Sequence, residues 1–224
     1  MKEKEDQLKE RSFRKYEDVI DYFMSYLDGY AYVYLEEEDA DLFEEKYNND
    51  NMSFCELFDI NEISEIEVEE FLSDFLIRKV MSSKQLMKDA GTVMRQLILW
   101  IRDNQLLDNV DYKYFLQVVN DLKDDLPKVV ELADLISEET RNNRLNQHEY
   151  QEFLEKVFII SDIEEGSLWL VDYDDEDNEY GPVIVPSKIS DLARLGWFGY
   201  LVLGKVETEW HILENGFIYP QEVI

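Results

Sequence analysis

Apolar positions recur at helical spacing through most of the first 157 residues, then give way to short β-rich runs. From Tyr16 they fall at Val19, Ile20, Phe23, Tyr26, Leu27 and Tyr30, three or four apart, which predicts a helix. Ala31-Tyr-Val-Tyr-Leu is β-rich and either ends that helix or continues it. Glu36-Glu-Glu-Asp reads as an acidic connector, Asp41 to Tyr47 as a short helix, and Asn48-Asn-Asp-Asn as a break. Ser64-Glu-Ile-Glu67 fits a capping box, in which the Ser and the Glu three residues on satisfy free amides. A helix burying Val68, Phe71, Leu72, Phe75 and Leu76 should follow. Ser82-Ser-Lys-Gln85 offers a second box, opening the most regular helix of the chain, about 83–103. Val110 to Leu122 predicts another helix. Pro127 suits the first turn of the next, which runs to about Ser137. Asn146-Gln-His-Glu149 resembles a further cap, leading a helix to about Val157. Residues 1–12 are charged throughout and read as a frayed start.

After residue 157 the runs are Phe158-Ile-Ile, Ser167 to Tyr173, Tyr180 to Val185, Phe198 to Leu203 and Glu209 to Leu213. Glu165-Gly166 and Asn215-Gly216 give turn signals between or after them. Six of the eight glycines lie in this part, as a tightly bent sheet requires. Ser187 to Leu195 suits a short helix. The expected fold is therefore α+β: a helical bundle over 1–157, then a small antiparallel β-sheet or barrel over 158–224.

Charge changes the picture next. Fifty-two Asp and Glu against 22 Lys and Arg leave −30 on 224 residues, with 45% hydrophobic residues. Disorder needs high charge with low hydrophobicity, so a folded core under an acidic surface is expected. Such a surface repels nucleic acid and anionic membrane. Cys55 is the only cysteine, which excludes an internal disulfide and a Cys-based metal site; its apolar neighbours suggest a structural thiol. Met1-Lys-Glu-Lys-Glu-Asp lacks the apolar core of a secretion signal. No run approaches the ~20 apolar residues of a membrane span. A cytoplasmic location is expected.

One segment reverses the sign. Between Ile77 and Arg102 stand six basic residues and one acid, Asp89. On a helix, Lys84, Lys88, Arg95 and Arg102 fall within about 40° of one another. Leu86, Met87, Ala90, Val93, Met94, Leu97, Ile98 and Ile101 cover the other side. The strip either packs near the chain's own acids, which outnumber bases 23 to 7 over residues 1–70, or binds phosphate or an acidic partner.

The same segment carries a resemblance. Val68-Glu-Glu-Phe-Leu-Ser-Asp-Phe-Leu, the Ser82-Ser83 turn and the long helix ending Leu99-Trp-Ile-Arg resemble the helical core-binding (SAM-like) domain of phage integrases, the tyrosine recombinases. The likeness spans at most residues 14–125. It implies a helical DNA clamp, which in that family precedes a catalytic domain with an Arg, a His-x-x-Arg motif and a nucleophilic Tyr. This chain lacks that part: His148 is followed by Glu-Tyr-Gln and His211 by Ile-Leu-Glu. Strand cleavage is therefore not implied.

Other chemistry is sparse. Asp172 to Glu179 is the densest oxygen cluster, either a solvated hairpin tip or a weak Ca²⁺ site. It departs from the EF-hand at Asp177 and Val183. Trp169, Trp197 and Trp210 either line an aromatic groove on the sheet or fill its core. No nucleophile, base, metal or cofactor constellation stands out. The sequence thus points to a non-catalytic interaction or regulatory protein with a protein partner. A nucleic-acid-associated protein using the basic strip is the alternative, and an acidic DNA mimic the lower one.

Overall fold

The structure, a computed structural model, describes residues 10–80, 83–107, 112–145 and 149–221. The architecture is α+β, and the chain divides into two compact units, one reaching Asp124 and one covering Asp125–Glu222.

The first unit is helical. α1 (Glu10–Tyr30) ends in a 3-10 turn (Ala31–Tyr34), followed by α2 (Glu37–Asp50) and α3 (Phe54–Leu57). The acids expected to form a connector, Glu37 to Asp39, instead make the first turn of α2, where carboxylates meet the positive end of the helix dipole. Asn51, at φ 55°, closes α2 in the left-handed conformation that asparagine tolerates. Ser64 caps α4 (Glu65–Glu70) as predicted, accepting from the Ile66 amide while Glu67 returns to the Ser64 amide at 2.8 Å. A π-helical turn (Phe71–Phe75) leads into α5 (Leu76–Lys79). α6 (Lys84–Asp103) is capped by Ser83, whose hydroxyl accepts from Leu86 at 3.2 Å; Ser82, in the expected box, lies outside the described residues. α7 (Tyr112–Leu122) completes the unit, the predicted start at Val110 also lying outside them. Residues 1–9 of the expected frayed start are likewise outside, whereas α1 is helical from Glu10.

The core joins Val19, Phe23, Tyr26 and Leu27 of α1 to Phe71, Leu72, Met87, Met94, Phe115 and Val119. Gly91 permits a close α6–α7 crossing: a Cβ there would stand 2.7 Å from that of Lys123.

The second unit opens with α8 (Leu126–Leu145), longer than the sequence predicts, with Pro127 in its first turn. Five strands follow: β1 (Glu152–Glu164), β2 (Ser167–Asp172), β3 (Asp175–Ile184), β4 (Phe198–Val206) and β5 (Glu209–Tyr219). α9 (Ser187–Leu192) sits between β3 and β4. The strand order is β1-β2-β3-β5-β4, and β1 pairs with both β2 and β4. The sheet closes through one parallel pair, Val183 opposite Trp210, a far thinner seam than the others.

Three expectations change here. The helix foreseen to Val157 is the start of β1, paired residue by residue with β4 from Glu152↔Lys205 to Ile159↔Phe198; its proposed cap at residues 146–148 lies outside the described residues. The boundary expected near 157 falls instead at Asp125 by compactness, because α8 lies along β5. Asn215-Gly216 is no turn: it lies within β5, where Asn215 Nδ2 donates to the Ala133 carbonyl at 3.3 Å and Oδ1 accepts from Ser137 Oγ at 3.0 Å. Buried Asn143 adds a bond from Nδ2 to the Ile212 carbonyl at 3.0 Å and Arg144 Nε one to the Leu213 carbonyl at 2.9 Å, so α8 is tied to the β5 backbone as well as to the Asn215 side chain. Removing that donor leaves a buried carbonyl unpaired. Asn143→Ala is expected to cost about 1–3 kcal/mol, read as a lower urea midpoint.

Candidate functional site

Every candidate from the sequence can be placed. α6 buries Met87, Ala90, Gly91, Val93, Met94, Ile98 and Ile101, and sets the basic strip on its outer side. Lys84, Lys88 and Arg102 are exposed and Arg95 half-buried. Arg102 pairs with its neighbour Asp103 at 2.8 Å. Arg95 Nε donates to the Asn120 side-chain oxygen at 3.1 Å, and Lys123 Nζ, just past α7, reaches the same oxygen at 3.4 Å and adds a cation to the strip. Asp89, the one acid of the segment, pairs with Lys15 at 3.7 Å. Among the described residues, neither Arg95 nor Arg102 forms an ion pair with the acids of residues 10–70.

The tryptophans do not make a groove. Trp197 and Trp210 are buried, at 1% and 4% exposure, inside the barrel, where side chains of alternate residues must fill a narrow interior. Trp210 meets Tyr180 edge-on at 6.0 Å, with Lys205 Nζ over its ring, 4.9 Å from the centroid. Of these three, Trp169 alone is partly open, packed so closely on Gly181 that a Cβ there would approach within 2.4 Å.

The acidic stretch Asp172–Glu179 is the β2–β3 hairpin. Asp172 is buried, accepts from Lys156 Nζ, and takes the Asp174 amide at 3.1 Å. These bonds hold its carboxyl below the ordinary range and raise the Lys156 ammonium, so a cation of the chain itself already neutralises the buried acid. Among the described residues, no three His, Cys, Asp or Glu side chains gather as a metal site would need.

Perturbed groups in the first unit are structural in the same sense. Tyr26 donates to Glu70 at 2.6 Å; burial, then that carboxylate, raises its pKa. Tyr34, facing the same carboxylate, is pushed up to about 12, again with burial the larger cause. Each keeps its proton beside an acid, which secures the acid without creating a base.

What the structure gathers, and the sequence did not indicate, is an aromatic platform on the outside of the barrel. Tyr173, after β2, lies 5.2 Å from Phe198 of β4; Phe198 stacks on Tyr219 of β5 at 5.2 Å; Phe217 meets Tyr219 edge-on at 6.5 Å. Tyr173 and Phe217 are each 41% exposed, with Val157 beside them at 38%. Tyr200 faces Val157 across the β1–β4 ladder, its hydroxyl donating to Glu155 at 2.6 Å. The missed signal was alternation: Phe198/Tyr200 and Phe217/Tyr219 are two residues apart on their strands.

No family model, curated protein or solved structure matches the chain. Among the described residues, no helix is long and apolar enough to cross a membrane.

Proposed function

We propose that this chain is a non-catalytic interaction protein that holds a protein partner, and that the outer aromatic face of the barrel is the surface it uses. The platform of Tyr173, Phe198, Phe217 and Tyr219 carries this reading. Aromatic side chains offer large rigid contact areas at low entropic cost and are enriched where protein partners meet. An apolar surface left open on an otherwise acidic protein keeps a water-exposure cost that binding removes. Asp174, next to Tyr173, and Glu155, bonded to the neighbouring Tyr200, disfavour an acidic partner.

The experiment is an affinity capture from native cells at two salt concentrations, with the wild-type chain and a Tyr173→Ser/Phe217→Ser variant shown by circular dichroism to be folded. A partner retained by the wild type at both salts and lost by the variant is the expected result. Identical captured sets would remove this reading.

A second reading has its own observation. The strip Lys84, Lys88, Arg95 and Arg102 is largely exposed, and Lys123 extends it. This favours a phosphate backbone as ligand, as the resemblance to the integrase core-binding domain implies. Such binding is salt-dependent, so duplex DNA should bind at ~50 mM salt and be lost in Lys84→Glu/Lys88→Glu/Arg95→Glu. No binding at ~50 mM would eliminate it.

A further inference from the structure

A second surface lies in the helical unit and is independent of the barrel face. The end of α1, the 3-10 turn after it and α2 border an open recess of ≈ 580 Å³, with Asp28, Gly29, Tyr32, Phe43, Glu44 and Tyr47 among its lining residues. Three rings build one wall. Tyr32 lies nearly parallel to Phe43, with centroids 5.6 Å apart and planes 10° apart, and Phe43 stacks on Tyr47 at 5.6 Å and 30°. Phe43 is buried, while Tyr32 and Tyr47 are 45% and 55% exposed, so aromatic surface stands at the mouth.

The charged lining is of one sign. Asp28 and Glu44 are carboxylates, and among the described residues no cation lines the recess. Lys46, the single base of α2, is held off the recess, 3.3 Å from Asp50 and 3.8 Å from Glu45. The acids of the first turn of α2, Glu37, Glu38 and Asp39, extend the negative field. Aromatic faces attract cations through their quadrupole, and carboxylates beside them add direct attraction.

Gly29 keeps the space open. It sits inside α1, where glycine is disfavoured relative to alanine because it loses more backbone freedom. A Cβ at this position would meet nothing within 4 Å. No close packing demands the glycine, and its φ is not positive. A longer side chain here would project into the recess.

We propose that this recess receives an arginine side chain of a basic peptide segment, the guanidinium lying against Tyr32 and Tyr47 with Asp28 and Glu44 around it. Arginine suits the site better than lysine, since its planar, weakly hydrated cation stacks on rings while donating in plane to carboxylates. Nucleic acid and acidic peptides are repelled. A bare metal ion lacks the donors, as no three ligating side chains gather among the described residues.

The test uses the full chain and three fluorescein-labelled peptides with (Arg-Gly-Gly), (Lys-Gly-Gly) and (Glu-Gly-Gly) repeats of equal length, read by anisotropy at physiological ionic strength. The arginine peptide should bind roughly tenfold more tightly than the lysine peptide, and the glutamate peptide should not bind. Gly29→Leu should weaken the arginine peptide roughly tenfold, whereas Gly29→Ala retains it. Tyr32→Leu/Tyr47→Leu, which changes two exposed rings, should abolish the preference for arginine over lysine. Equal binding of the two basic peptides, or wild-type binding by a folded Gly29→Leu chain, would overturn the proposal, since either result indicates diffuse attraction to the −30 surface. Tyr173→Ser/Phe217→Ser should leave arginine-peptide binding unchanged, which separates this site from the barrel face.

Discussion

Cys55 is expected to alkylate about fiftyfold more slowly at neutral pH than the same cysteine in the unfolded chain. The thiol sits in α3, is part-buried, and lies 3.8 Å from the Met24 carbonyl it donates to, while its backbone amide donates to Asp28 at 2.8 Å. Burial first, and the Asp28 carboxylate second, push the thiol up from its ordinary 9.0 to about 12. The thiolate is the reacting species, so each unit of pKa removes about nine-tenths of it at a pH below both values, and the greater nucleophilicity of the more basic thiolate offsets part of that loss. The rate with iodoacetamide should keep rising with pH towards about 12, rather than levelling off above 9.0. Urea should restore ordinary reactivity. Asp28→Asn should recover only part of it, because burial is the larger cause. Equal rates for native and urea-unfolded protein would show that the thiol is not held in this way. The linkage has a definite sign: the folded pKa lies above the unfolded one, so the stability from keeping the thiol neutral is complete below about 9.0 and lost as pH rises through about 12.

How far the sequence could be read depended on how local each cause was. The Ser64–Glu67 cap was legible because its partners lie three residues apart. The basic strip was legible as geometry because 3.6-residue periodicity fixes a face, although its link to Asn120 and Lys123 needed the α6–α7 packing. The opening of β1 was not legible. Phe153, Leu154 and Val157 sit at spacings a helix also uses, and what decides for a strand is the distant β4 ladder. Asn215-Gly216 misled for a similar reason, since the side-chain bonds that hold Asn215 in β5 come from α8, about eighty residues earlier. Ending β5 at Leu213 also removed Phe217 and Tyr219 from view, and with them the platform. Alternation shows that residues share a face; it does not show whether that face is the inside or the outside of a closed sheet.

The tryptophans turn that distinction into the largest stability effect expected in the second unit. Trp197 is held by its backbone as well as its side chain: its carbonyl accepts from Ile160 at 2.8 Å, and the preceding Gly196, at φ 79°, donates to the Ile160 carbonyl at 2.9 Å. The strand β1 therefore fixes where the indole enters the core, and the surrounding chain has little freedom to collapse around a smaller residue. Trp197→Ala should cost about 3–5 kcal/mol, the range for deleting a buried large aromatic. Trp210→Ala should fall near it, with the loss of the Tyr180 edge contact included. Trp169→Ala should cost less, because its side chain is already partly in water. A domain of ordinary stability holds about 5–15 kcal/mol, so the first two variants should lower the urea midpoint severely. An exposed aromatic groove would give the opposite ranking: a folded, equally stable Trp197→Ala chain that has lost only its partner. Measuring the three midpoints beside capture of the partner separates the interior from the surface, because stability follows Trp197 and Trp210 while binding follows Tyr173 and Phe217.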